Sequence, residues 1–109
     1  MNDLLNAIKG VLTTGDVLSG DDATRRAAGV WRTDTIKARI IVRPTSTEEI
    51  AAVMKICYER NQHVVVHGGL TGLVHAADTS ADDLVISTER MNRIEDLDTL
   101  GRTMTLQSG

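Results

Sequence analysis

An apolar run that ends in a glycine-rich loop constrains this chain more than any other stretch. Val64 to Val66 are β-branched and indicate a buried strand, and three glycines then fall within five residues, Gly68, Gly69 and Gly72. Glycine tolerates φ > 0 and leaves room beside the main chain, so such a loop can direct several N–H groups at one anion. The stretch predicts either a phosphate-binding loop or a plain glycine-rich turn between two strands.

The spacing of the glycines separates this loop from two familiar phosphate-binding motifs. It is not G-x-G-x-x-G, because Leu70 stands where the second glycine of that motif would be, and it is not a P-loop, because no Gly-Lys-Ser/Thr follows. Residues 76–80 are turn formers and continue the loop rather than opening a helix. The next apolar run, Leu84 to Ile86, predicts a third strand.

A strand and an amphipathic helix precede the loop. Ala38 to Val42 is rich in β-branched residues and stops at Pro44, and Thr45 to Glu49 supply an N-cap and first-turn acids. Apolar residues then recur at helical spacing: Ile50, Val53, Met54, Cys57 and Tyr58. Strand, helix and strand predict a right-handed βαβ crossover, with the glycine loop at the carboxyl edge of the sheet, where ligands bind.

Weaker patterns complete the chain. Residues 3–12 predict a short helix, residues 13–20 are rich in turn formers, and residues 19–26 give a polar entry to a helix that Gly29 would end near Trp31. Residues 93–97 predict a short segment and residues 103–107 a last strand. The fold class is therefore α/β, or α+β in some schemes, with a small sheet of three or four strands and helices packed on it.

Composition narrows the function classes. The net charge of −3 and the scattered Lys and Arg argue against a nucleic-acid partner. No apolar run approaches the length of a membrane helix and no secretory signal is visible, so we expect no membrane partner. A single cysteine, Cys57, makes an internal disulfide impossible, and a cytoplasmic location is the default.

Three further groups of residues could carry chemistry. His63, His67 and His75 lie close in sequence, but no cysteine or suitably spaced carboxylate completes a ligand set, so we predict no metal. Cys57 falls on the buried face of its helix, where burial raises a thiol pKa and argues against a nucleophile. Three arginines, Arg25, Arg26 and Arg32, either hold an anion or are ordinary surface residues.

Four motifs together resemble the opening of the flavin-binding domain of FAD-linked oxidases of the PCMH or vanillyl-alcohol-oxidase type. They are Ile41–Ile50, Cys57–Asn61, Val64–Leu73 and Ile86–Ile94. The order and the residues of these motifs are most similar to those of the branch of D-2-hydroxyglutarate, D-lactate and glycolate dehydrogenases. The resemblance implies that residues 38–109 are the first half of an FAD-binding domain, the first subdomain of that type, and that residues 1–37 are an N-terminal helical segment before it.

The resemblance also implies a cofactor and its contacts. In the family, the loop matching Gly68 to Leu73 wraps the FAD pyrophosphate, and the segment matching Ser87 to Ile94 passes along the cofactor. The implied FAD-binding residues are Gly68, Gly69, Leu70, Thr71, Gly72, Leu73, Ser87, Thr88, Met91 and Asn92. FAD should be non-covalent, because Leu70 stands where members that attach FAD in this loop carry a histidine. No catalytic residue is assigned, because the family places those residues in a cap domain beyond Gly109.

This chain departs from the family pattern in the loop itself. Val66 replaces a proline, Leu70 replaces Asn or Gly, and His75–Ala76 replace a glycine pair. A side chain at a φ > 0 position costs on the order of 1 kcal/mol.

The expected function is the FAD-binding portion of an oxidoreductase acting on a D-2-hydroxy acid, and the alternative is a truncated, non-catalytic nucleotide-binding or protein-interaction module. The expected partners are a small-molecule cofactor and either a second copy of the chain or the missing C-terminal half.

Overall fold

The computed structural model describes residues 2–109. Their helices and strands, in chain order, are α1 (Asn2–Val11), β1 (Asp16–Ser19), α2 (Asp21–Thr24), β2 (Ile40–Arg43), α3 (Thr47–Glu59), β3 (Val64–His67), β4 (Leu84–Ser87), β5 (Ile94–Asp98) and β6 (Thr103–Leu106).

A four-stranded sheet with the order β1-β2-β4-β3 forms the centre of the fold. β2, β4 and β3 are mutually parallel, and β1 runs antiparallel to β2 at one edge. The predicted α/β class and the strand–helix–strand order over β2, α3 and β3 are confirmed. β2 and β3 are not neighbours, however, because β4 lies between them and pairs with both.

Alternating residues of the central strands fill two apolar layers, one on each face of the sheet. Ile40, Val42, Leu84 and Ile86 point to the layer covered by α1 and α3, which pack against each other. The opposite layer contains Ile41 and Val85 from the sheet, and Ala23, Ile36 and Ala38 from the segment that precedes β2. The unbroken apolar run of β4 follows from burial on both faces.

Helix α3 begins at a capped N-terminus, as predicted. The N-cap is Ser46, whose Oγ accepts a hydrogen bond of 3.2 Å from the Glu49 main-chain N–H. Val53 and Cys57 are buried, and burial raises the pKa of the Cys57 thiol. The predicted apolar stripe is wrong at Met54 and Tyr58, which are exposed because they lie on the solvent side of the helix, next to the buried Val53 and Cys57.

Two expectations for the N-terminal part are wrong. The turn-rich stretch 13–20 contains strand β1, which is fixed by pairing with β2 rather than by an apolar pattern of its own. The helix expected to continue towards Gly29 ends at Thr24, and the chain then forms an irregular loop in which Ala27 bridges Thr35.

The C-terminal part is a hairpin of β5 and β6 that forms a separate two-stranded antiparallel sheet. The last strand predicted at residues 103–107 is therefore confirmed, and the short segment predicted at residues 93–97 is a strand as well. Every residue of the two strands is exposed. The cross-strand pairs Ile94–Leu106 and Leu97–Met104 place four apolar side chains together. Across residues 2–109, no helix is long and apolar enough to cross a membrane.

Candidate functional site

The glycine loop that follows β3 borders a surface cavity, which is the candidate site. This cavity has a volume of about 340 Å³ and lies between residues 68–78 and residues 28–32. The structure thus brings together all six predicted loop residues, Gly68, Gly69, Leu70, Thr71, Gly72 and Leu73, and adds a wall from the N-terminal segment that the sequence reasoning did not foresee.

The three loop glycines provide space rather than unusual backbone angles. A Cβ atom built at Gly68 or Gly72 would meet no atom within 4 Å, and one at Gly69 would meet only Thr71 Cγ2 at 4.0 Å. The positive φ angles of the loop belong instead to Leu70 (58°) and His75 (61°). The expectation that the glycines serve the φ > 0 positions is therefore wrong, whereas the strained position foreseen at His75 is present.

The main chain of the loop is well suited to bind an anion. Within residues 2–109, none of the N–H groups from Gly69 to Val74 donates a hydrogen bond. The Leu70 carbonyl, in contrast, accepts a 3.1 Å bond from the Val30 N–H, which holds the loop in place. N–H groups without a protein acceptor, beside open space, can donate to an anion such as a phosphate group.

Arg32 does not act as a free cation at this site. Its guanidinium bonds both oxygens of Asp34, at 2.8 and 2.5 Å, and also pairs with Asp78. These hydrogen bonds raise the pKa of Arg32, and the guanidinium lowers the pKa values of both carboxyl groups. His75 Nδ1 lies 3.2 Å from Arg32 Nη1 and 3.2 Å from Asp78 Oδ2. An anion in the loop would therefore depend on the main chain.

The three histidines do not converge. His67 is buried, with Nε2 2.8 Å from the Ala77 carbonyl oxygen, so it ties the end of β3 to the far side of the loop. His63 is exposed at the other end of β3, and His75 bonds with Asp78. Nowhere between residues 2 and 109 do three His, Cys, Asp or Glu side chains approach closely enough to hold a metal.

The predicted contacts after β4 are divided between two places. Ser87 and Thr88 are buried at the end of β4, and the Thr88 N–H donates a 2.9 Å bond to the His67 carbonyl, next to the glycine loop. Met91 is buried under this turn. Asn92 lies apart from the loop, in a second surface cavity between the start of α3 and the hairpin.

A network of charged residues holds the turn after β4. Arg26 binds both oxygens of Glu89, at 2.6 and 2.7 Å, and Arg43 binds both oxygens of Asp16, at 2.7 and 2.5 Å. Arg43 also lies 3.6 Å from Glu89, and Arg90 lies 3.3 Å from Asp16. The hydrogen bonds from Arg26 and Arg43 lower the pKa values of Glu89 and Asp16, respectively. Arg26, considered above as an anion site, thus has a carboxylate partner.

Sequence reasoning missed Trp31 and Asp78, which both line the cavity. A signal for Trp31 was available, because it is the single Trp of a chain without Phe and it lies two residues after Gly29. Asp78 gave no comparable signal, because a lone aspartate in a polar loop is common.

Comparison with known proteins agrees with this geometry. The FAD binding domain family matches residues 38–109. A mitochondrial D-2-hydroxyglutarate dehydrogenase of Danio rerio is 29% identical over 90% of this chain, and a D-lactate dehydrogenase of Anaerostipes hadrus is 41% identical over 67%. This chain spans 19% and 16% of those relatives, respectively.

Solved structures share the fold. An alkyldihydroxyacetonephosphate synthase superposes over 98% of this chain and 24% of its own, with a TM-score of 0.76 and 19% identity. A p-cresol methylhydroxylase superposes over 89% of this chain and 20% of its own, with a TM-score of 0.69 and 20% identity. The family match over most of the chain, joined to the open glycine cradle, shows that the chain belongs to the FAD binding domain family, whose cofactor is FAD.

Proposed function

We propose that this chain is the FAD-binding portion of an oxidoreductase that acts on a D-2-hydroxy acid of the D-2-hydroxyglutarate, D-lactate or glycolate type. The observation that carries the proposal is the glycine cradle after β3, with free N–H groups and no atom in the space beside Gly68 and Gly72. The names of the Danio rerio and Anaerostipes hadrus relatives support the substrate class.

The positions of the residues indicate which part of FAD each of them would contact. N–H groups of Gly68 to Leu73 would hold the pyrophosphate, and the Thr71 hydroxyl adds one more donor. Ser87 and Thr88, at the adjacent end of β4, would lie along the cofactor. Met91 supports that turn from below, and Asn92 contributes only if the cofactor extends towards the hairpin. Bound FAD would supply the redox chemistry, and these residues would bind and orient it without a covalent link.

The test is a bulky substitution in the cradle. Gly69→Trp should fold, because only Thr71 Cγ2 borders the added Cβ, and it should abolish ADP and FAD binding because the side chain fills the space for phosphate. Gly10→Trp, at another position with no neighbour within 4 Å, is the matched control. Titration calorimetry measures binding and circular dichroism measures folding. An unchanged dissociation constant for Gly69→Trp would reject the site.

We further propose that the chain alone neither retains one FAD per chain nor oxidises a hydroxy acid. The cavity is open to solvent, with Trp31 78% exposed, whereas a flavin ring needs burial on both faces and proton transfer needs a base within about 3 Å of the substrate hydroxyl. Purified protein should be colourless and should not reduce a dye with D-lactate or D-2-hydroxyglutarate. A yellow preparation that keeps its flavin through gel filtration would refute this.

The second candidate function is a non-catalytic nucleotide-binding or protein-interaction module. It is favoured by the exposed apolar side chains of the hairpin and by His75–Ala76 in place of a glycine pair. Either a second copy of the chain or a C-terminal half would cover that apolar surface. We therefore propose a homo-oligomer for the isolated chain, and a monomer at high micromolar concentration in sedimentation equilibrium would contradict it.

Two smaller proposals complete this assignment. We retain the division into an N-terminal segment, 1–37, and the first half of an FAD-binding domain, 38–109. The family match over 38–109 supports the second unit.

We propose a cytoplasmic location, because the single cysteine, Cys57, is free and buried and makes no disulfide. The Danio rerio relative is a mitochondrial protein. Fractionation of cells that express the natural gene with a tag would test it.

A further inference from the structure

The segment that forms the second wall of the cavity is a small closed loop, residues 27–35, here called the Trp31 loop. Ala27 and Thr35 form a β-bridge at its base, and the Ala28 N–H donates a 3.0 Å bond to the Asp34 carbonyl. At its tip the Arg32 N–H bonds the Gly29 carbonyl at 3.2 Å. These bonds make a turn that presents Trp31.

Three contacts fix the Trp31 loop to the glycine loop. The Val30 N–H donates to the Leu70 carbonyl, and the Arg32 side chain bonds Asp78 and His75. Gly29 packs so closely that a Cβ there would lie 3.2 Å from Arg32 Cδ and 3.5 Å from the Leu70 oxygen. Trp31, one residue from each anchored position, is therefore held beside the cradle.

Trp31 itself is 78% exposed although it lines the cavity. Its cavity neighbours Val30, Leu73 and Val74 are also exposed, so an apolar wall stands next to the phosphate cradle. A contiguous group of exposed apolar side chains, unlike a single one, marks a surface that binds a ligand or a partner. The nearby charges do not suit a second anion, because Arg32 is already compensated by Asp34 and Asp78.

We propose that Trp31 stacks on a planar heteroaromatic ring of the nucleotide whose phosphates occupy the glycine loop. The inference rests on the proposed function and extends it with a specificity residue outside the family match, which begins at residue 38. An indole face offers broad contact to a flat ring and fixes its orientation at low entropic cost. The ring is that of adenine or of the flavin, and the two halves of FAD distinguish these sources.

The experiment uses the full chain and compares four probes: FAD, ADP, FMN and inorganic pyrophosphate. Trp31 is the single Trp, so its fluorescence reports directly on a ring stacked against it. FAD should quench it saturably, and calorimetry should give the same dissociation constant. Trp31→Ala should weaken FAD binding by about 5- to 100-fold and leave pyrophosphate binding unchanged, whereas Trp31→Phe should restore part of the affinity.

Tyr58→Ala is the matched control, because Tyr58 is an aromatic residue that is 85% exposed on α3 and outside the cavity. It should bind all four probes like the wild type. A loss for ADP but not FMN assigns the adenine, and the reverse assigns the flavin ring. Equal FAD affinity in Trp31→Ala and wild type overturns the stacking proposal and leaves the cradle intact. No saturable binding of any probe by the wild type overturns both.

A final measurement separates a ligand role from a protein interface. If Trp31→Ala binds FAD like the wild type but sediments as a smaller species, Trp31 is covered by another copy of the chain and the stacking proposal is wrong. Circular dichroism of both Trp31 variants verifies their folding, and Trp31→Phe carries the test if the alanine variant does not fold.

Discussion

The four-stranded sheet and the β5–β6 hairpin both contain apolar strand residues, but they differ in what covers those residues. Leu84, Val85 and Ile86 in β4 are at most 2% exposed, with apolar layers on both faces. Leu97 in β5 and Met104 in β6 are 64% and 53% exposed, respectively, although they form an apolar cross-strand pair. An apolar pattern thus predicts that a strand forms, but not that it is buried, because burial depends on what packs against the strand. A two-stranded sheet with nothing packed on it is only marginally stable in water.

Hydrogen exchange should show the largest difference between the two regions. The amides of β4 lie in a doubly covered strand and should exchange only on global unfolding, whereas hairpin amides should open locally. We expect exchange at least about 100-fold faster in β5 and β6, by NMR or mass spectrometry. Equal protection in both regions would mean that a second copy covers the hairpin, and dilution should then remove the protection.

A leucine-to-alanine substitution in each region should change the free energy of unfolding by very different amounts. Leu84→Ala removes a buried side chain and should cost about 2 to 5 kcal/mol in the free energy of unfolding. Leu97→Ala, in the hairpin, should change it by less than about 0.5 kcal/mol. Urea denaturation at low protein concentration measures both values. A cost above about 2 kcal/mol for Leu97→Ala would show that the hairpin face is packed.

Acid should weaken the four-stranded unit through Glu49. Burial alone would raise its pKa, but hydrogen bonds from the Thr45 hydroxyl and from the N–H groups of Thr45, Thr13 and Gly15 lower it to about 2. Because the folded pKa lies below the ordinary value, the stabilisation is complete above about pH 5 and is lost as the pH falls towards 2. It amounts to about 3 kcal/mol.

Glu49→Gln should remove most of that pH dependence and destabilise the protein at neutral pH, because an amide N–H₂ would face main-chain N–H donors. The exposed neighbour Glu48→Gln is the control and should behave like the wild type. Unfolding curves between pH 3 and 7 measure how the free energy of unfolding of each variant depends on pH. A wild-type slope that persists in Glu49→Gln would assign acid sensitivity to other carboxylates.

A smaller loss than at Glu49 is expected at the Arg26–Glu89 pair. Its side chains are about one third exposed, so solvent screens the interaction, and Glu89→Gln should cost about 0.5 to 1 kcal/mol. The loss should shrink further in high salt. Asp21→Asn, which removes the more exposed pair with Arg25, is the control and should have no measurable effect. A salt-independent loss above about 2 kcal/mol would contradict this estimate.

The elements that sequence patterns predicted best are those with their own periodicity. The α3 helix, the three parallel strands and the glycine loop were located because local composition and burial agree there. Strand β1 was missed because its pairing with Arg43 and its neighbours is a long-range contact. The place of β4 between β2 and β3 was missed for the same reason, since no local pattern encodes sheet order.

The candidate site was predicted only in part, for a related reason. The glycine loop is contiguous in sequence and was found, whereas the opposite wall with Trp31 is brought to it by the Val30–Leu70 bond. The buried carboxylate of Glu49 was taken as a first-turn acid, because its partners Thr13 and Gly15 are distant in sequence. Asn92 was assigned to the cofactor by resemblance alone, and it lines a second surface cavity, apart from the glycine loop.

The insertion of β4 between β2 and β3 also limits when the sheet can close during synthesis. Neither β2 nor β3 has a parallel neighbour until residues 84–87 have left the ribosome, so both strands emerge with unpaired edges. The helix between them can form early, because its contacts are local, whereas sheet closure waits for a contact of long sequence separation. The glycine loop joins β3 to β4 and is closed by this last step. We therefore expect a nascent chain stalled before Leu84 to leave the glycine loop unclosed and the edges of β2 and β3 that face β4 unpaired.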